Sequence, residues 1–153
     1  MTTPFDLLVR ITRAHAAMAR RVDRALAAHG LSLNDLMILL HLGSAPDGRL
    51  RRVDLADRLG MTASGVTRAL GPLERIGLLV REANPRDARV AYASLTPTGR
   101  TIAGEARLTA ERTSDLLFTE AGSDGSDLDA LARLLESLGG HGLPASSPGA
   151  VGG

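Results

Sequence analysis

The sequence predicts a mainly α-helical fold with one small β-hairpin, and three observations carry that expectation. Apolar residues recur at three- and four-residue steps through most of the chain, the period of a helix buried along one face. Residues 78–82 and 88–95 alone have β-type composition, with Val80, Val90 and Tyr92 flanking the loop Asn84-Pro85-Arg86-Asp87. Two short apolar-periodic segments joined through a glycine stand directly before that hairpin. At 153 residues the chain fits one domain, or one lobe fused to a helical extension.

The elements follow in order. Thr3-Pro4-Phe5-Asp6 reads as an N-cap, a proline at the first helical position and an acid in the first turn. Leu7, Leu8, Ile11, Ala14, Met18, Val22, Ala25 and Leu26 then line one side of a long helix closed by Gly30. Ser32, with Asp35 three residues on, opens a second helix, Leu33 to Leu42, mostly buried through Leu36, Met37, Leu39 and Leu40. A loop from Gly43 to Gly48 carries the turn signal Pro46-Asp47-Gly48. Short helices are expected at about 51–59 and 63–76, separated by Gly60-Met61, the second capped by Thr62. Gly71-Pro72 within it removes a backbone hydrogen bond and predicts a bend, with a helix break at 71 as the competing reading. Thr96-Pro97 launches a helix to about Ala121; after Gly122 to Gly125 a last helix, 126–138, aligns Leu128, Leu131, Leu134, Leu135 and Leu138. From Gly139 six glycines and two prolines fall within fifteen residues, so 139–153 is expected to be a disordered tail.

Composition narrows the function. The chain has no cysteine, which excludes disulfides, thiolate–zinc sites and thiol redox sensing. No apolar run reaches the roughly 18 residues of a membrane span, and the N-terminus shows no secretory pattern, so a cytoplasmic protein that makes no membrane contact is expected. The formal charge of +1 hides an uneven distribution. Residues 1–48 carry five arginines against four acids, 49–100 ten against five, and 101–153 three against eight. A basic middle fits a segment facing a polyanion; a merely solvated charge pattern fits as well. All eighteen basic residues are arginine, which a GC-rich genome explains, although arginine also suits bidentate contacts to guanine and phosphate.

The stretch Leu55-Ala56-Asp57-Arg58-Leu59-Gly60-Met61-Thr62-Ala63-Ser64-Gly65-Val66-Thr67-Arg68-Ala69 is the most informative. Ala56 is small where two helices meet, Gly60 tolerates left-handed geometry, and Leu55, Leu59, Met61, Val66 and Ala69 hold the pair together. These are the needs of a helix-turn-helix. An ordinary helical hairpin would explain the leucines but not all the offsets. Val66, Ala69, Leu70, Leu73 and Ile76 are expected inward, leaving Ser64, Thr67, Arg68 and Arg75 on a face that reads base edges. Thr62 and the free amides beside it suit a phosphate. The hairpin then becomes a wing, with Arg86 and Arg89 near a minor groove and Asp87 orienting one of them by an ion pair.

In this order the parts resemble the MarR family of bacterial regulators from about residue 5 to 138. The matching residues are Leu55-Ala56-x-x-Leu59-Gly60-Met61-Thr62-x-Ser64-x-Val66-Thr67-Arg68 and Leu73-Glu74-Arg75-Ile76-Gly77-Leu78. Asp87-x-Arg89 leading to Leu95-Thr96-x-x-Gly99 completes them and is the more specific signature. The resemblance implies a homodimer built on residues 1–30 and 101–138, with a winged helix-turn-helix lobe at 31–100 reading half of a palindromic operator on double-stranded DNA. It places Ser64, Thr67 and Arg68 in the major groove and Arg89 in the minor groove. It also implies a repressor of transcription released by a small-molecule effector bound between the dimer helices and the DNA lobe. The amphipathic stretches 5–28, 101–121 and 126–138 independently carry more apolar surface than one lobe covers, although packing within one chain is the alternative.

His15, Met18 and His41 are the candidate lining of such a ligand cleft. The four histidines do not cluster at metal-ligand spacing, so neither a metal nor another cofactor is expected. An enzyme is not expected: the chain lacks a nucleophile–base pair, paired carboxylates in an apolar setting and a phosphate-binding glycine loop after a strand. A winged protein-interaction module is the other reading, but it would usually present apolar or acidic residues where Ser64, Thr67, Arg68 and Arg75 stand.

Overall fold

Helix α1 (Pro4–Leu26) starts where the sequence predicts, with the Thr3 hydroxyl accepting from the Asp6 amide at 3.1 Å and Pro4 at the first position. A short 3-10 turn, Ala27–His29, ends on Gly30 in the left-handed region. Helix α2 (Leu33–Ser44) opens with the full capping box: the Asp35 amide donates to the Ser32 hydroxyl, and the Ser32 amide to the Asp35 carboxylate. The computed structural model describes residues 1–144. The part of the expected tail at 139–144 contains neither helix nor strand, and 145–153 lie outside the described residues.

A second 3-10 turn, Pro46–Gly48, feeds strand β1 (Arg49–Arg51), which the sequence did not reveal. Helices α3 (Arg52–Leu59) and α4 (Ala63–Arg75) follow, then strands β2 (Leu79–Asn84) and β3 (Asp87–Leu95). The three strands form an antiparallel sheet in the order β1-β3-β2, with Leu50 opposite Ala93 and Leu79 opposite Leu95. Strand pairing runs further down the hairpin than composition indicates. Asn84 pairs with Asp87, so the wing turns through Pro85 and Arg86 alone. Helix α5 (Pro97–Glu120) is capped by Thr96, and helix α6 (Gly125–Ser137) by a capping box of Asp124 and Asp127.

Helix α4 runs through Gly71 and Pro72 as one element, so the competing reading of a break at residue 71 falls. One further expectation needs correction. Ile76, expected in the core, is 57% exposed. Helix α4 stops at Arg75, and the Gly77 and Leu78 amides close the turn onto the carbonyls of Glu74 and Leu73. With Gly77 at φ +78° the chain rotates away, so Leu78 enters the core and Ile76 leaves it.

The core joins the sheet, α2, α3, α4 and the near ends of α1 and α5. Leu26, Ile38, Leu39, Leu42, Leu55, Val66, Leu70 and Leu79 are fully buried in it. Each such side chain contributes about 1.5–3 kcal/mol by leaving water. Burial then thins toward the chain ends: α1 buries Val22 and Leu26, while Phe5 and Leu8 are exposed. Helix α6 buries nothing, and Leu128, Leu131, Leu134 and Leu138 face outward. A bidentate ion pair of Arg21 with Glu120 (2.6 and 2.7 Å) joins α1 to α5 and holds the Glu120 carboxyl below its usual range, and from the 3-10 turn after α1 His29 Nε2 makes a 2.9 Å hydrogen bond with the Thr109 hydroxyl of α5. Among the described residues no single helix is long and apolar enough to cross a membrane.

Candidate nucleic-acid interface

The turn between α3 and α4 depends on Gly60. It sits at φ +62°, its amide bonds back to α3, and the Met61 amide reaches the Ala56 carbonyl at 3.0 Å. A side chain is strained at that φ, so glycine is what lets α4 leave at this angle. Ala56, buried behind the turn, gives the two helices a close approach. Thr62 then caps α4, its hydroxyl accepting from the Gly65 amide at 3.1 Å and lying 3.3 Å from the Ser64 hydroxyl. A Cβ on Gly65 would come to 3.1 Å from that Thr62 oxygen, so the first turn of α4 is tight as well as capped.

Val66, Leu70 and Leu73 hold α4 to the core, with Ala69 partly buried beside them. The opposite side presents Ser64, Arg68 and Arg75, all exposed. Thr67 is only partly exposed: its hydroxyl donates to the Ala63 carbonyl at 3.1 Å and accepts from Arg52 Nη1 at 3.0 Å. Arg52 was not among the residues singled out from the sequence, because fifteen residues separate it from Thr67.

The wing is anchored at its base and bare at its tip. Arg49 of β1 lies over the Tyr92 ring, 5.0 Å from its centre, and 3.9 Å from Glu82, which also accepts from the Ser94 hydroxyl. At the tip the Asn84 side chain accepts from the Arg86 amide at 2.8 Å. Asp87 accepts from the Arg89 amide at 3.0 Å and faces the Arg89 guanidinium at 3.7 Å. Of the two arginines Asp87 was expected to orient, it therefore pairs with Arg89. The Arg89 side chain is 94% exposed, so the pair is loosely held and open to a competing anion.

Charge in the lobe is sorted rather than spread. Arg51 is bound to Asp54, Arg81 to Glu74, Arg49 to Glu82 and Arg89 to Asp87. Hydrogen bonds from Arg51 and Arg81 hold the Asp54 and Glu74 carboxyls below their ordinary range. Among the described residues no carboxylate lies within ion-pair distance of Arg52, Arg58, Arg68, Arg75, Arg86 or Arg100. The net positive charge of the segment thus resides on arginines free to meet an external anion.

The cleft expected to collect His15, Met18 and His41 does not form within one chain. His41 is 8% exposed at the α2–α3 junction, and its Nδ1 has no hydrogen-bond partner. Burial first, then the charge of Arg58, pushes its pKa down. Its cavity is walled by Met37, Arg58, Leu59 and the chain around Leu143, whereas His15 and Met18 stand exposed on α1 and do not line it. Among the described residues no three His, Asp or Glu side chains converge as metal ligands would.

A capped helix held across a second helix by a left-handed glycine turn, followed by a two-stranded wing, defines a winged helix-turn-helix lobe. Residues 29–90, the greater part of this lobe, match the family model of the MarR family. The HTH-type transcriptional regulator MhqR of Bacillus subtilis is 27% identical over 93 residues, 61% of this chain and 63% of that protein, so the match spans under two thirds of this relative's length. Among solved structures, Sco3205, a MarR family regulator of Streptomyces coelicolor crystallised in complex with DNA, superposes with a TM-score of 0.78. It is 23% identical, and the match covers 91% of this chain and 92% of that one. BpsR of Bordetella bronchiseptica, whose DNA binding is regulated by 6-hydroxynicotinic acid, gives a TM-score of 0.78 at 21% identity, over 87% and 98%. At such identities the likeness is one of fold, and over nine tenths of the chain the fold is that of MarR family regulators.

Proposed function

We propose that this chain is a sequence-specific DNA-binding regulator of transcription, acting as a homodimeric repressor on a palindromic operator. The observation that carries the reading is the outer face of α4. Ser64 and Arg68 stand exposed there, and Arg68 has no partner among the described residues, while acids nearby are neutralised by other arginines. A short polar residue early in a helix allows close approach to base edges, and a free guanidinium can take guanine bidentately. Thr62 and the amides beside it suit a backbone phosphate. Arg75 lies two turns beyond Arg68, toward the flanking backbone. Arg86 and Arg89 on the bare wing reach the neighbouring minor groove, with Asp87 orienting Arg89.

Dimerisation is supported by the outward leucines of α6 and the exposed Phe5, Leu8, Leu108 and Leu116 on α1 and α5. A second copy that covers these side chains would take them out of water. A two-fold pair of lobes reads an inverted repeat. A small molecule bound between the helical region and the lobe would release the repressor. The cleft beside α2, lined by Leu39, Leu40, Leu95, Arg100 and Arg107, offers apolar walls and cationic groups for such an effector.

Selection of bound duplexes from a random pool tests the reading. Enrichment of a two-fold-symmetric sequence, with affinity falling steeply as salt rises, is the expected outcome. Failure to enrich any sequence, or binding indifferent to salt, would overturn it.

A further inference from the structure

We propose that Arg52 is a phosphate-binding residue held in place by Thr67, so that the Thr67 hydroxyl positions a guanidinium instead of contacting a base. The inference rests on the DNA-reading face proposed above and assigns a role to a residue outside α4.

The hydrogen-bond inventory at Thr67 is nearly exhausted. A hydroxyl has one proton and two lone pairs. The proton goes to the Ala63 carbonyl and one lone pair receives Arg52 Nη1, so no donor remains for a base. Arg52 is the opposite case. Its guanidinium carries five N–H groups in a planar fork, of which the bond to Thr67 uses one. The nearest acid in the sequence, Asp54, has both carboxylate oxygens taken by the Arg51 guanidinium at 2.9 and 3.1 Å, so it does not draw Arg52 away. The side chain is half-buried and fixed at its tip, which lowers the entropy lost when it engages a ligand.

Position names the ligand. Arg52 is the first residue of α3, and in a helix-turn-helix the first helix crosses the DNA backbone while the second lies in the major groove. With α4 seated, the free edge of Arg52 meets a phosphate, whose oxygens accept two parallel N–H bonds. The link to Thr67 then couples that phosphate clamp to the register of the recognition helix.

The test uses the duplex enriched by the parent chain and an unrelated duplex of equal length, each titrated over a series of salt concentrations. Arg52→Gln is expected to weaken both duplexes alike, about tenfold for one charge-assisted contact. It should also flatten the dependence of log affinity on log salt by about 0.9 per guanidinium removed. Thr67→Val, which keeps the shape and deletes the hydroxyl, is expected to weaken both duplexes by a smaller factor and to enrich the same sequence as the parent. In the double variant it should add nothing to the loss from Arg52→Gln. Parental affinity in Arg52→Gln, additive losses, or a changed base preference in Thr67→Val would overturn the inference and leave the DNA reading intact. A parent chain that enriches no sequence would overturn both. Should Arg52→Gln unfold, Thr67→Val carries the test with Arg52 in place.

Discussion

Gly99→Ala adds one methyl group at the point where the wing returns to the helical region, and its cost can be worked from the contacts there. The Thr96 amide donates to the Leu78 carbonyl at 3.1 Å, the Thr96 hydroxyl to the Gly77 carbonyl at 2.7 Å, and the Gly99 amide to that hydroxyl at 2.9 Å. These bonds stitch the start of α5 to the chain leaving α4, and Gly99 lies directly on the Leu78 peptide. A Cβ would overlap the Leu78 carbonyl oxygen and come within 2.8 Å of its carbon and 2.9 Å of Leu95 Cδ1. The peptide cannot swing aside, because Leu78 is buried and its own amide is bonded to the Leu73 carbonyl at 3.0 Å. Overpacking costs about 1–3 kcal/mol, and disturbing the Thr96 cap about 0.5–2 kcal/mol. A total of about 1.5–5 kcal/mol follows, a large part of the roughly 5–15 kcal/mol that holds a domain together. At roughly 2–4 °C per kcal/mol for a chain of this size, melting should fall by about 3–20 °C. Far-ultraviolet circular dichroism at one protein concentration measures it. Gly104→Ala is the control: it lies within α5, a Cβ there meets nothing within 4 Å, and it should stabilise by about 0.5–1 kcal/mol. A Gly99→Ala protein melting with the parent, or equal losses in both variants, would refute the reasoning.

Three further outcomes are expected. Arg68→Ala should cost about 1–3 kcal/mol of specific binding and relax preference at one base position, whereas Arg89→Ala should weaken binding with the major-groove preference unchanged; selected-sequence profiles of the two variants separate these. Leu131→Glu on the outward face of α6 should convert the chain to a monomer in sedimentation while its lobe stays folded; an unchanged mass would remove α6 from the interface. Because the folded His41 pKa is depressed by burial and by Arg58, the unfolded chain binds the proton first. Stability contributed by neutral His41 should therefore fall as pH drops below about 6.5, the ordinary imidazole value, and level off below the folded pKa. His41→Leu should lose that part of the pH dependence; melting curves that shift with pH as much as the parent's would count against it.

What could be read from the sequence was what local chemistry decides. Thr3, Ser32, Thr62 and Thr96 each cap the helix they precede, because a capping hydroxyl acts within three residues. Gly60 was legible for the same reason. Strand β1 was not: three residues with only Leu50 inward show no period, and their partners, Tyr92 to Ser94, lie more than forty positions on. The site divided along the same line. Ser64 and Arg68 follow from helical spacing, but the Arg52–Thr67 bond depends on how α3 crosses α4, and the pairing of Asp87 with Arg89 depends on a wing turn one residue tighter at each end than composition indicated. Ile76 kept the helical period and still left the core, because closure at Gly77 overrode it.

The central claim is that two copies of this lobe grip one duplex, each inserting α4. Sedimentation of the chain with a labelled duplex carrying the enriched inverted repeat, beside one carrying a single half-site, tests it most directly. Two chains should bind the full repeat together, and the half-site should bind far more weakly and without that stoichiometry. One chain per duplex, or equal affinity for both duplexes, would contradict it.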